Sequence, residues 1–308
     1  EDFNHTTINS SDHGVSMTEL EKKINDTNPE IVIFWGDSEA NNISLTLKKK
    51  GCITMVHAGA GVRSGDRSSS EEINRAVCDL CSDYHFVYHD YYGRNLLKEN
   101  FNKKSIFVVG NPTYKANKEA HEVATKNKTP VWYKKRIALN ISNSQNIYNT
   151  ERLNNLISFA YFCEQEFGVQ VTFFNSAEAL NETQKVNLNL PFSGEHRVFD
   201  DHVDLAQVIA QSVFVISDSD MVFYQACCSG APVVIPSDHP TQPTSINSSC
   251  CSYVSINDLF HPSWKKSLDW VEKTKLNLDW LVNEEASQNI SDSLKIILEE
   301  KGNNGLRI

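Results

Sequence analysis

The sequence predicts an α/β protein with parallel sheets and crossover helices, organised as two domains. Short β-branched runs alternate with helix-length amphipathic segments along most of the chain, the pattern of parallel strands joined over the faces of a sheet. In 308 residues, 15 Phe, 10 Tyr and 5 Trp carry enough apolar area for one large or two medium cores, and two is the expectation at this length. A polar stretch from Lys115 to Lys135, rich in Lys and Asn and holding Pro130, interrupts the alternation. It reads as the interdomain linker and places the domains at 1–130 and 131–308.

Each element follows from its local pattern. A helical period over Ser16–Thr27 leads to the strand Ile31–Trp35, five apolar residues closed by Gly36. The helix Ser38–Lys49, the strand Cys52–His57 and a glycine-rich loop come next, then the helix Ser70–Ser82, whose early Glu71 and Glu72 suit the positive end of a helix. The strand Tyr84–Tyr88, the helix Asp90–Asn100 and the strand Ser105–Val109 complete the first half. The second half offers strands at Arg136–Ile141, Val169–Phe174, Val213–Ser217 and Pro232–Pro236, with helices at Thr150–Phe167, Val203–Gln211 and Asp220–Ser229. After Phe260 the pattern is helical, with Trp264, Trp270 and Trp280 spaced to pack a helical face.

Charge and composition exclude several functions. Against 39 acidic residues stand 29 basic ones, a net charge of −10 without a basic stripe, so nucleic acid is not an expected partner. No run approaches the ~20 apolar residues that cross a bilayer, so no membrane span is expected. The chain opens at Glu1 with neither an initiator Met nor an apolar leader, as a processed or a cropped chain would. Asn-x-Ser/Thr triplets occur at Asn4, Asn9, Asn25, Asn42, Asn127, Asn140, Asn181, Asn247 and Asn289, about twice the number random placement gives. Eight cysteines, with doublets at Cys227-Cys228 and Cys250-Cys251, point the same way, to an oxidising compartment. A secreted or extracellular glycoprotein is the expectation, with a cytoplasmic chain as the alternative. Cys78 and Cys81 form a CxxC inside a helical run without partner ligands, so they read as core residues and no metal site is expected.

Ligands of open parallel sheets bind at the carboxyl ends of the strands. After the first strand comes Asp37, which alone would read as a helix N-cap. After the second comes His57-Ala58-Gly59-Ala60-Gly61-Val62-Arg63-Ser64-Gly65-Asp66, where glycines permit close approach of a ligand and Arg63 suits a phosphate or carboxylate. In the second half, Ser217-Asp218-Ser219-Asp220 joins a strand to a helix start, an anion site in principle, yet bracketed by two carboxylates.

These residues resemble the non-hydrolysing UDP-N-acetylglucosamine 2-epimerases. The family segment His-x-Glu-Ala-Gly-x-Arg-Ser-Gly-Asp followed by Glu-Glu-x-Asn-Arg is similar to His57–Asp66 and Glu71–Arg75. Gly36-Asp37, Ser82-Asp83-Tyr84-His85-Phe86, Gly110-Asn111-Pro112, Ser217-Asp218-Ser219 and Gly230–Val233 keep the family's order and spacing. The resemblance implies two Rossmann-like domains of the GT-B type. It also implies a first domain short at its N-terminus, because the family begins with about two further βα units, of ~30 residues each.

Family chemistry abstracts the C2 proton of the sugar and eliminates UDP, which requires carboxylates as acid and base and groups that hold diphosphate. By resemblance Asp37 and Glu71 match two catalytic carboxylates. The third falls on Gly59, and the family's histidine falls on Ser142. The diphosphate loop Ser-Gly-Gly corresponds to Ser219-Asp220-Met221, and the ribose-binding Glu to Gln225. Arg63 and Ser219 remain as nucleotide-binding candidates, and a family Thr-Glu-Arg-Pro matches Pro240-Thr241-Gln242-Pro243 without its Arg.

The reading is a catalytically degenerate, secreted glycoprotein of this fold with a structural, assembly or binding role and no cofactor. Its partners would be N-linked glycans and a homo-oligomer or larger assembly. One alternative is a divergent epimerase or UDP-sugar hydrolase using Asp37 and Glu71, with a UDP-sugar as partner. The other is a sugar-nucleotide or glycan sensor. A glycan on Asn140 would obstruct the cleft, and the resemblance places the Cys227-Cys228 and Cys250-Cys251 segments close enough for a disulfide.

Overall fold

The structure, a computed structural model, describes residues 3, 5–7, 16–51, 53–126, 136–175, 196–198, 202–237, 251–255, 263–273 and 285–304. It divides into two compact units, Glu1–Pro112 with Asn283–Ile308, and Thr113–Val282. The division therefore falls ahead of the polar stretch, and the last helix belongs with the first unit.

In the first unit the strands β1 (Ile31–Trp35), β2 (Thr54–Ala58), β3 (Tyr84–Val87) and β4 (Ile106–Val108) form one parallel sheet in sequential order. Helix α1 (Met17–Thr27) starts at a reciprocal cap between Ser16 and Glu19. Together with α2 (Ile43–Lys50) it covers one face, burying Leu20, Ile24, Phe34, Leu47 and Met55. On the other face Leu294 and Ile297 of α11 (Ala286–Asn304) pack on Val56, Ala58 and Phe86. Helices α3 (Ser70–Cys81) and α4 (Asp90–Lys98) complete the crossovers. The register pairs Trp35 with Ala58 and Ala58 with Phe86. It therefore brings the segments that follow those strands, at Gly36, Gly59 and Tyr88, to one end of the sheet.

The second unit holds a six-stranded parallel sheet in the order β10-β9-β8-β5-β6-β7. Its strands are β5 (Arg136–Asn140), β6 (Gln170–Asn175), β7 (His196–Val198), β8 (Ser212–Ser217), β9 (Val233–Pro236) and β10 (Cys251–Val254). The chain winds outward one way from β5 and the other way from β8, so the topological switch lies between them. Helix α6 (Ser144–Ile147) follows β5, and α7 (Thr150–Phe167) packs Phe159 and Cys163 into one core cluster. Trp264 and Trp270 of α10 (Ser263–Lys273) rest against that cluster as their spacing predicted, and Trp280 lies outside the described residues. Helices α8 (His202–Ala210) and α9 (Asp220–Cys228) cover the opposite face.

Residues 113–126, much of the expected linker, are instead the helix α5 (Thr113–Lys126). Its buried face is Tyr114, Asn117, Ala120 and Ala124, and the two alanines meet Ala206 of α8. Alanine lets helices approach closely while adding little hydropathy, which is why the segment reads as polar. Cys78 and Cys81 are buried in α3, as the helical reading required. No disulfide is formed among the described residues, which corrects the expectation for Cys227, Cys228 and Cys251. Cys250 lies outside the described residues. Cys227 and Cys251 do share a core cluster, but as packed apolar groups. Among the described residues, no helix is long and apolar enough to cross a membrane.

Candidate functional site

At the carboxyl end of the first sheet, Asp37 does not cap a helix. Its Oδ2 pairs with the guanidinium of Arg75, and its carbonyl accepts from Asn74 Nδ2 at 3.0 Å. Asn74 in turn accepts from Asn42 at 2.9 Å. One turn of α3 thus fixes Asp37 from a segment 38 residues away, a pairing no local pattern reveals. The actual cap of α3 is Ser69, whose hydroxyl accepts from Glu72 N. Glu72 instead reaches the loop and accepts from Ser64 N at 2.9 Å and Gly65 N at 3.0 Å. Burial pushes the Glu71 carboxyl up, but hydroxyl donors Ser69 and Ser70 and the nearby Arg75 outweigh it and hold it below the usual range. Glu71 is an ionised group, a poor proton donor.

The glycine loop is pinned from below by a buried charge network. His57 gives Nδ1 to Asp79 at 2.5 Å and Nε2 to the Gly36 carbonyl at 2.9 Å, so both ring nitrogens donate. Burial opposes that charge, but the Asp79 carboxylate prevails, and the His57 pKa is pushed up to about 10. Burial likewise opposes ionisation of Asp79, and His57 with Arg63 more than compensates. Arg63 places Nη1 2.8 Å from Asp79 and donates Nε and Nη2 to Glu99, both at 2.8 Å. Its donors are committed to the fold, so Arg63 positions the loop and is not open to phosphate. Gly61, at φ +77°, accompanies this network: a Cβ there would strike the Tyr92 carbonyl.

Over Gly59, at φ +92°, stands Tyr88, its hydroxyl 3.2 Å from where a Cβ would be. Tyr88 follows β3 and Trp35 ends β1, and their rings lean toward one another across the middle strand with centroids 6.4 Å apart. They meet because position 59 carries no side chain. Trp35 is 50% exposed. The Tyr88 hydroxyl, raised above its usual pKa by burial and by Asp37, hydrogen-bonds to no described residue. No local sequence pattern marks this pair, whose only signal is an aromatic at the end of each flanking strand.

At the switch of the second sheet, Asp218 turns away from the helix start and fills the space after β5. It accepts from Ser142 N at 2.8 Å, Ser142 Oγ at 3.2 Å, Asn143 N at 3.2 Å and Asn146 Nδ2 at 2.9 Å. Its pKa is raised by burial, against the pull of those donors. Ser219 caps α9, with Asp220 and Met221 opening the helix. Gln225 is wholly buried and donates to the Asn117 carbonyl at 3.2 Å, so it braces α9 against α5. Pro240–Pro243 lies outside the described residues.

Asn140 is 2% exposed. Its Nδ2 donates to the Phe174 carbonyl at 3.1 Å and to Asn175 Oδ1 at 2.5 Å, and its Oδ1 accepts from Ser217 at 2.9 Å. A glycan cannot be accommodated there, which corrects the expectation of an obstructing sugar. Asn42 and Asn289 also give their amides to the fold, whereas Asn25 is exposed on α1. Asn4, Asn9, Asn127, Asn181 and Asn247 lie outside the described residues. Among those described, no group of three or more His, Cys, Asp or Glu is placed to hold a metal ion.

Comparison with known proteins decides the kinship. The profile of the UDP-N-acetylglucosamine 2-epimerase family matches residues 4–254. The chain belongs to that family. It is 24% identical to the UDP-N-acetylglucosamine 2-epimerase of Methanocaldococcus jannaschii over 252 residues, 76% of this chain and 67% of that protein. The Methanococcus maripaludis enzyme of the same name is 23% identical over 89% of this chain and 77% of its own length. Among solved structures, the M. jannaschii epimerase in complex with UDP-GlcNAc and UDP superposes with a TM-score of 0.81 at 22% identity, covering 91% of this chain and 79% of that one. The Neisseria meningitidis epimerase bound to UDP-GlcNAc gives 0.75 at 18% identity, covering 90% of this chain and 79% of that one. The shared fold is the α/β arrangement of parallel sheets and crossover helices.

Proposed function

We propose that this family member has given up C2 epimerisation and serves as a binding or assembly module. The observation that carries the reading is at position 59, where the resemblance would place a carboxylate. No side chain is available there, and the Tyr88 hydroxyl occupies the adjacent space. Loss of one acid or base typically costs about 10²–10⁴ in rate. Three further features support the reading. Arg63 is spent on Asp79 and Glu99, Ser142 stands where the family has an imidazole, and Asp220 puts negative charge at the start of α9.

The test is incubation of the full chain with UDP-N-acetylglucosamine, followed by proton NMR. Neither the C2 epimer nor free UDP should accumulate. Either product would make the divergent enzyme the correct reading, with Asp37 and Glu71 as its carboxylates. Secretion belongs to the same proposal and rests on Asn25 and the acceptors outside the described residues. Peptide mapping of protein from its native source tests it: glycan-bearing peptides support secretion, and an unmodified chain supports the cytoplasmic alternative.

A further inference from the structure

We propose that helix α3 pairs with α3 of a second copy of this chain, antiparallel across a two-fold axis that passes between Ala76 and Val77. The inference names the partner for the assembly reading and rests on that reading.

Helix α3 is amphipathic the wrong way round. A surface helix normally turns its apolar stripe to the core and its polar face to water. Here Glu72, Asn74, Arg75 and Asp79 are buried, beside Cys78 and Cys81. Their partners draw them inward: the loop amides hold Glu72, Asp37 holds Arg75, and His57 with Arg63 holds Asp79. The opposite face is Ile73, Ala76, Val77 and Leu80, at the i, i+3, i+4, i+7 spacing of a helical stripe, and no charged side chain interrupts it. Ile73 is 50% exposed and Leu80 71%. Alongside, α2 is tied by Asn42 to Asn74 and by Lys48 to Asp83, and it adds Leu45, 46% exposed. An exposed apolar patch rimmed by polar residues marks a protein-docking surface.

The stripe is complementary to itself. Its four positions are symmetric about the midpoint between Ala76 and Val77, so an antiparallel copy sets Ile73 on the partner's Leu80 and Ala76 on the partner's Val77. The small alanine falls at the crossing, where it lets the two helices approach closely. Charge selects the same orientation. Asp66 and Glu71 outnumber Arg67 at the start of α3, and Lys48 and Lys49 of α2 outnumber Asp83 at its end, so antiparallel pairing sets acid against base. Opposed helix dipoles add to that preference. A stripe built for an unrelated helix would have no need of this symmetry, and a second copy is the occupant it fits.

Sedimentation equilibrium of the full chain tests the pairing, with circular dichroism confirming that each variant is folded. The wild-type chain should sediment at twice its chain mass. Leu80→Lys should weaken association about a hundredfold, because in a two-fold interface each substitution falls twice. Ile73→Glu should do the same, and the double variant Ile73→Glu with Leu80→Lys should recover at least about tenfold, because the register sets each new acid on a new base. A monomeric wild-type chain, a dimer indifferent to Leu80→Lys, or a double variant no better than the singles would each overturn the inference. Turnover of UDP-N-acetylglucosamine in the separate assay would remove the non-catalytic reading and leave the sedimentation result untouched, so the two failures are distinguishable.

Discussion

Replacing Asp79 with Asn keeps the shape of a buried side chain and deletes its charge, which makes the worth of the His57 pair measurable. His57 is raised from an ordinary 6.5 to about 10. A raised pKa contributes stability that is complete below 6.5 and fades as pH climbs toward 10. At 1.36 kcal/mol per unit, the pair contributes about 4 kcal/mol at pH 7, within the ~3–5 kcal/mol that breaking a buried pair costs. Between pH 6 and pH 9 that contribution shrinks by about 3 kcal/mol. In Asp79→Asn the carboxylate that outweighs burial is gone, and burial then favours the neutral ring, so the variant loses stability as pH falls below about 6.5. Urea unfolding of both proteins at pH 6, 7 and 9 measures the difference, with hydrogen exchange over residues 54–58 assigning the transition to the first unit. A penalty below about 1 kcal/mol at pH 7, or one constant from pH 6 to 9, would refute the assignment of His57 as a buried cation.

Further outcomes follow from single contacts. Gly61→Ala must oppose both its positive φ and the Tyr92 carbonyl, and should cost at least ~3 kcal/mol or prevent folding, read by circular dichroism and thermal melting. Asp218→Ala strands the amides of Ser142 and Asn143 and the side chain of Asn146, for a loss of about 2–4 kcal/mol in denaturant titration. Asn140→Ala leaves Asn175 and Ser217 without their shared partner and should cost a similar ~2–4 kcal/mol. In peptide mapping of native-source protein, Asn140 should be unmodified even if Asn25 carries a glycan.

Much of the fold was legible because backbone periodicity is local. Ile31–Trp35 and Thr150–Phe167 fall on the residues their patterns mark. Helix α5 escaped because its buried contacts are made by alanine and asparagine, and β7 and β10 because His-Arg-Val and Cys-Ser-Tyr-Val, unlike the equally short β4 and β9, carry no run of β-branched apolar residues. The site was legible only as a list of chemically able residues. Whether Arg63 is an open cation or a pinned one depends on Asp79 and Glu99, the latter 36 positions away. The meeting of Trp35 and Tyr88 over Gly59 exists only once the register of three strands is fixed.

The buried amide row across β6, β5 and β8 has a consequence for reading such chains. Asn140 is required to bridge Asn175 and Ser217, and Ser142 donates to Asp218 through its hydroxyl as well as its backbone. Two separate mechanical needs, two residues apart, spell out an acceptor triplet that an oligosaccharyltransferase would recognise only in an unfolded chain. The row also acts as a key for strand alignment. Sliding any of the three strands by one position would turn its polar member toward the opposite face and leave the others facing hydrocarbon. Asn-x-Ser at this place is a spelling imposed by packing, and its presence in a relative would identify the same lock on strand register, whatever compartment that relative occupies.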